Sequence, residues 1–180
     1  MVAGSVSVRE ASTDDVPAIL AIYNDVIATS TAVYREDPAT LDDRLQWFAA
    51  RQAQSYPVLV ALGAVASAEA ATDDSGLLGF ASYGDFRAWP GYRFSVEHTV
   101  HIRADQRGRG VGTLLMRALI QRAVEQGKHV MIGGVDADNE ASLRFHERLG
   151  FQRAAHLRQV GIKFGRWLDL VFVQRILDGT

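Results

Sequence analysis

An alternating strand pattern that runs directly into a basic, glycine-rich turn and then into an amphipathic helix constrains this chain more than any other feature. Val96, His98 and Val100 alternate with Glu97, Thr99 and His101 up to Ile102; a turn carrying Arg103, Arg107, Gly108, Arg109, Gly110 and Gly112 follows; from Thr113 the apolar residues Leu114, Leu115, Met116 and Leu119 recur with helical period. A strand delivered through glycine into a helix N-terminus brings unpaired backbone N–H groups and the positive end of the helix dipole to one point, which is a cradle for a pyrophosphate. A Walker loop needs a lysine before its Ser/Thr, and Gly110-Val111-Gly112-Thr113 has none. A Rossmann fingerprint needs a Gly-x-Gly-x-x-Gly turn after the first strand, whereas Gly108, Gly110 and Gly112 are spaced evenly and lie past mid-chain. Both nucleotide readings fail.

A second segment follows downstream. Asn139 to Phe151 reads as a short helix with Ser142, Phe145 and Leu149 on one face, closed by Gly150 where a left-handed cap favours glycine. The two segments are joined by the apolar run Val130-Met131-Ile132-Gly133-Gly134-Val135. Arg107-x-x-Gly110-x-Gly112 resembles the acetyl-CoA turn of the GNAT superfamily of N-acetyltransferases, and the helix ending in Leu149-Gly150-Phe151 resembles that superfamily's next motif, in the same order. Further blocks (Tyr23-Asn24-Asp25, Gly84 to Trp89, Val96 to Val100, Gly161 to Asp169) resemble the phosphinothricin and methionine sulfone/sulfoximine acetyltransferase branch, and together they span nearly the whole chain.

The resemblance implies a GNAT fold of the α/β (α+β) type: a mixed, mostly antiparallel sheet of about seven strands flanked by about four helices, forming one acetyltransferase domain over residues 1–180. The pattern agrees. It predicts strands at Val6 to Glu10, Tyr56 to Leu62, Leu77 to Tyr83, Arg93 to Ile102 and Val130 to Asp136, with an antiparallel pair, Phe151 to Val160 and Trp167 to Ile176, around the turn at Lys163 to Arg166. Helices are predicted from Thr13 through Ile27, from a Thr40–Asp43 capping box with Leu41, Leu45, Trp47 and Phe48 turned inward, from Val111 to Gln126, and from Asn139 to Leu149. Residues 63–76, poor in apolar side chains, read as a hairpin extension or mobile loop.

Composition narrows the function. With a formal charge of −2 the chain has no global attraction for nucleic acid, and none is expected as a partner; no apolar run is long enough to span a membrane. There is no cysteine, so acyl-cysteine catalysis and thiolate metal sites are excluded and acetyl must pass directly from donor to acceptor; no metal site is read. A cytoplasmic homodimer is expected.

By resemblance, acetyl-CoA is the acetyl donor, and a small-molecule amine is the acceptor. Thr99, Val100, His101 and Ile102 would meet the pantetheine arm, largely through main chain. Arg107, Gly108, Arg109, Gly110, Val111, Gly112 and Thr113 would hold the pyrophosphate, with Asn139 and Ser142 nearby. Glu97 is the candidate base for the acceptor ammonium, directly or through one water. His98 is an alternative base or an orienting partner of Glu97. Backbone N–H groups near Thr99 or Val100 would face the oxyanion. Many members carry tyrosine where this chain has His146, which makes that histidine either the acid for the leaving thiolate or a packing residue. Acceptor recognition is assigned to Phe86, Arg87, Trp89 and Arg93, to Tyr34 on the loop between the first two helices, and to Lys163 on the last hairpin. The implied substrate is the α-amine of phosphinothricin, methionine sulfoximine or methionine sulfone. Protein N-termini, polyamines and a non-catalytic acyl-CoA sensor are the alternatives.

Overall fold

The computed structural model describes residues 6–63 and 76–177. Within them, seven strands form one sheet in the order β1-β2-β3-β4-β5-β7-β6. They are β1 (Ser7–Glu10), β2 (Val58–Leu62), β3 (Leu77–Asp85), β4 (Ser95–Ile102), β5 (Val130–Asp136), β6 (Gln152–Lys163) and β7 (Arg166–Ile176). Four α-helices flank the sheet: α1 (Val16–Thr29), α2 (Leu41–Ala53), α3 (Val111–Glu125) and α4 (Glu140–Arg148). All strand pairs are antiparallel except β4–β5, which α3 joins as a parallel crossover. This is the mixed α/β architecture expected from the motifs.

Two apolar layers sandwich the sheet. On one face, Leu115, Met116 and Leu119 of α3 and Leu143 of α4 pack with Tyr83, Val96, Met131 and Val173. On the other, Val16, Ile19 and Ile22 of α1 and Phe48 of α2 pack with Val58, Val60 and Phe80. Strand alternation therefore sends Val96 and His98 to the α3/α4 face, and Glu97, Thr99 and His101 to the α1/α2 face.

Local departures from the pattern have physical causes. The first helix enters through a 3-10 turn, Thr13–Asp15, and α1 proper starts at Val16; Ser12 caps the turn, its N–H and hydroxyl donating to Asp15, which also forms a forked ion pair with Arg9. Thr40 and Asp43 do form the reciprocal box that opens α2. Leu41, expected to turn inward, is 44% exposed, because the first helical position points away from the sheet, and Phe48 supplies the buried anchor. β6 and β7 run on to meet at a two-residue turn, Phe164-Gly165, both with positive φ; a register shift between Leu157 and Gly161, with Gln159 at φ 51°, carries β6 past Val160. β4 begins at Ser95 rather than Arg93, since Pro90–Tyr92 winds into a 3-10 turn that Arg93 N–H closes onto Pro90 O. The segment read as a hairpin extension lies almost wholly outside the described residues; its stem is closed by Gly63 N–H donating to Gly76 O.

Candidate active site

The site begins where two parallel strands separate. β4 and β5 pair only through Ser95–Val130, Val96–Met131 and Glu97–Ile132. Beyond Glu97 the β5-facing edge of β4 has no strand partner among the described residues, so backbone donors and acceptors from Thr99 to Ile102 line an opening instead of a ladder. That opening widens into a cleft of about 610 Å³ between β4, the turn before α3, and α4. Its walls include Val100, His101, Ile102, Arg107, Gly108, Gly110, Val111, Gly112, Thr113, Asn139 and Ser142, which brings most of the sequence-assigned cofactor residues into one concavity.

The turn is built as a cradle. Gly110 caps α3 with φ 85°, and Gly108 has φ 74°; a Cβ added at either would meet nothing within 4 Å, so the space above both backbones faces the cleft. The first intrahelical bond runs from Leu114 N–H to Gly110 O, and the preceding N–H groups of the first turn have no backbone partner among the described residues. Arg107 lies alongside, its Nε donating to Ile102 O. Arg103, grouped with this basic cluster by sequence, instead forks onto Asp105. Arg109 and Thr99 are exposed and do not line the cleft. On the far wall Asn139 caps α4 by accepting from Ser142 N–H. The donor set, open glycines and length of unpaired strand fit a pyrophosphate with an amide-bearing arm. Replacing Gly110 by valine is expected to abolish the thermal stabilisation that saturating acetyl-CoA confers, about 3 kcal/mol at 100 times Kd in the parent, because the side chain would occupy the phosphate space. A ligand-induced Tm shift that persists in the variant would place the phosphates elsewhere, and an equal shift with ATP or NAD would remove the acyl-CoA assignment.

Glu97 sits half-buried at the point where the strands part. Its carboxylate has no hydrogen-bond partner among the described residues, and Oε1 points toward Gly134 on β5, 3.6 Å from where a Cβ there would stand. Burial pushes its pKa up, with the Arg87 charge partly opposing. Both histidine assignments need correction. His98 lies on the opposite face from Glu97, 5% exposed, stacked on His146 at 5.1 Å and against Phe151; burial first, and then the neighbouring histidines, lower its pKa to about 3. It neither orients Glu97 nor reaches the cleft. His146 also points into the core instead of lining the cleft. Its Nδ1–H donates to Ser142 O at 2.7 Å and burial lowers its pKa, so the imidazole is neutral with no proton directed at a leaving thiolate. At this helix position His146 packs against His98, Phe145 and Phe151. His101 does line the cleft, as a neutral imidazole between Tyr23 and Phe80, its pKa lowered to about 4 by burial above all.

The acceptor assignments divide in the same way. Phe86 is half-buried between Tyr92 and Phe172, and Arg87 lies exposed over the Phe86 ring at 4.4 Å, on the same flap that leads to Glu97. Trp89 is 75% exposed, so it is no buried wall and its removal carries no large stability loss. Arg93 turns away, bonded to Pro90 O and stacked on Phe94. Lys163 is fully buried and donates to the carbonyls of Ile27, Ser30 and Val33, each at 2.7 Å; with all three N–H bonds spent on backbone it contacts no acceptor. Tyr34 packs across Gly161 and donates to Asp169 O, and burial together with Asp136, Asp169 and Asp138 pushes its pKa up to about 12. Its hydroxyl is already committed. Val26, Ser30 and Ala32, which sequence reasoning missed, line the cleft because Lys163 holds the end of α1 and the following loop against it.

The family model for the acetyltransferase (GNAT) family matches residues 19–151. This chain belongs to the GNAT acetyltransferase family. It is 49% identical to the L-methionine sulfoximine/L-methionine sulfone acetyltransferase of Pseudomonas paraeruginosa, over 98% of this chain and 97% of that one. It is 38% identical to a phosphinothricin N-acetyltransferase of Alcaligenes faecalis, over 96% of this chain and 83% of that one. Among solved structures, an acetyltransferase of Salmonella typhimurium with its cofactor acetyl-CoA superposes with a TM-score of 0.87 at 40% identity, covering 97% of this chain and 95% of that chain. The chain is therefore an acetyltransferase enzyme of a family that uses acetyl-CoA, and its cleft has the shape and donors for that group.

Proposed function

We propose that this GNAT enzyme transfers acetyl directly from acetyl-CoA to the α-amine of a small L-amino acid analogue of the methionine sulfone, methionine sulfoximine or phosphinothricin type. The observation that carries the reading is the placement of Glu97: a half-buried carboxylate without a hydrogen-bond partner among the described residues, at the last pair before β4 leaves β5. The identity to relatives named for those acceptors supports it.

Bound in the cleft, acetyl-CoA supplies an activated acyl thioester. The protein supplies the rest. The cradle at Gly108 to Thr113 and Arg107 fixes the phosphates, and the unpaired edge of β4 aligns the arm. Glu97, made more basic by burial, takes the ammonium proton of the acceptor directly or through one water. Backbone N–H groups on the open edge beyond Glu97 face the reacting carbonyl. Ser142 is the hydroxyl that α4 presents to the cleft. Phe86 and Arg87 bound the acceptor side. The reading includes a homodimer, formed through the β6–β7 hairpin, whose edge strand exposes Leu157, Val160 and Ile162 beside Phe164 and Trp167. It also includes a cytoplasmic location for one catalytic domain; among the described residues no helix is long and apolar enough to cross a membrane.

An acetyl-CoA consumption screen over free amino acids, methionine oxidation products and polyamines tests the reading. The expected pattern is turnover on the sulfone and sulfoximine. Turnover on polyamines alone, or binding without turnover, would overturn it. In the same assay Arg87→Ala is expected to raise KM for the acceptor by roughly 10-fold or more while leaving KM for acetyl-CoA within twofold, since the charge it removes faces only the acceptor side. Equal movement of both constants would make Arg87 a support of the fold.

A further inference from the structure

Two half-buried arginines on α2 make no ion pair among the described residues. Arg44 and Arg51 are seven residues apart and so share one face of the helix. The Arg44 guanidinium stacks over Tyr23 at 4.2 Å and lies 5.1 Å from the Trp47 ring, and that of Arg51 lies 6.0 Å from the same ring. The Nε of each is buried with no hydrogen-bond partner among the described residues. Among the described residues Arg44 makes no ion pair or side-chain hydrogen bond, and Arg51 reaches only Gln54 Oε1, at 3.4 Å. Burial lowers the pKa of both; Asp85 and Tyr56 partly oppose it at Arg51, where the Arg44 charge adds to it, and Tyr23 partly opposes it at Arg44. Two cations partly out of water and repelling one another constitute a site whose free energy falls when an anion enters.

The position of that site relative to Glu97 is set by the sheet. Arg51 lies directly on β3 at Gly84, where a Cβ would stand 2.4 Å from its Nη1, so only a glycine admits the guanidinium. Gly84 is the cross-strand partner of Glu97, and paired residues project on the same face. The Glu97 carboxylate leans the other way, toward Gly134 of β5. Arg51 and Glu97 thus flank β4 on one face, at the level where β4 and β5 separate. The pyrophosphate cradle lies at the far end of β4, beyond Ile102, so it does not account for these charges.

We propose that Arg51, with Arg44 behind it on the same helix face, binds the α-carboxylate of the acceptor, so that a free amino acid is selected over its amide and over simple amines. This rests on the acetyltransfer reading above. An α-amine and an α-carboxylate share one carbon, and the face offers a base on one side of β4 and a planar donor fork on the other. The side chain of the acceptor is left to Phe86 and Arg87 on the flap.

The test compares L-methionine sulfone with its carboxamide in the wild-type enzyme and in Arg51→Gln, Arg44→Gln and Arg51→Lys. Wild-type kcat/KM is expected to favour the free acid by on the order of 10- to 100-fold, the range for a hydrogen bond to a charged group. In Arg51→Gln that preference should collapse toward one through loss on the acid, with partial recovery in Arg51→Lys and a smaller loss in Arg44→Gln. Acid and amide falling together would make Arg51 structural and overturn the subsite. If Arg51→Gln fails to fold, the wild-type comparison decides: equal use of acid and amide overturns the subsite while leaving the acetyltransfer reading intact, whereas turnover of neither overturns both.

Discussion

Replacing Glu97 by Gln is expected to leave acetyl-CoA binding unchanged and to lower kcat at neutral pH by roughly 10²–10⁴-fold, the usual worth of a positioned base. Glutamine keeps the size and hydrogen-bond reach of the side chain, so the loss isolates proton removal. The pH dependence carries the sign. Burial raises the Glu97 pKa, so below that raised value the carboxyl is protonated and cannot accept the ammonium proton; kcat/KM of the parent should fall as pH drops through it. That acid limb should vanish in Glu97→Gln. Toward high pH the loss should shrink, because an acceptor above its own amine pKa arrives neutral and only positioning and the oxyanion contacts remain. His98 is no substitute, being neutral and on the other face of the sheet. A wild-type rate at neutral pH would assign deprotonation to a water chain, and a uniform loss at every pH would make Glu97 a residue that positions the acceptor.

Lys163→Met is expected to destabilise the fold by about 3–5 kcal/mol, because it removes the one cation that satisfies three backbone carbonyls in a buried pocket while nearly filling the same volume. For a chain of this length that is roughly 10 °C in Tm. The expected effect reaches the site as well. Lys163 ties the β6–β7 hairpin to the C-terminal end of α1 at Ile27 O and to the loop at Ser30 O and Val33 O, and Ser30 and Ala32 are walls of the cofactor cleft. KM for acetyl-CoA should therefore rise in the variant at temperatures where it remains folded. If instead acceptor KM rose alone at unchanged Tm, Lys163 would be a substrate ligand after all. Thermal denaturation and steady-state kinetics on the same preparation separate the two.

The elements that the sequence made legible are those whose signal is local. The Thr40–Asp43 box, the left-handed Gly150 closing α4 and the alternation of β4 each express a backbone preference that needs no distant partner. The cofactor turn was legible for the same reason: glycine spacing and a helix start define a cradle within a few residues. The acceptor side was not. Arg87, Trp89, Arg93, Tyr34 and Lys163 all have side chains suited to an oxyanion or an aromatic box, and composition cannot tell which of them is already occupied. Lys163 proved to be spent on carbonyls more than 100 residues earlier in the chain, and Tyr34 on Asp169 O. Arg44 and Arg51 carry no signal of their own, because nothing near them in sequence announces that Gly84 leaves room for a guanidinium.

The sequence by itself determined the strand, glycine turn and helix around Gly110 and the order of the motifs that follow, since each depends on residues within one or two turns of chain. Only the tertiary structure decided on which face of the sheet each histidine lies, which cations are paired and which are left open. Those outcomes depend on strand register and on contacts between segments far apart in the chain, and a single step of register exchanges one face of the sheet for the other.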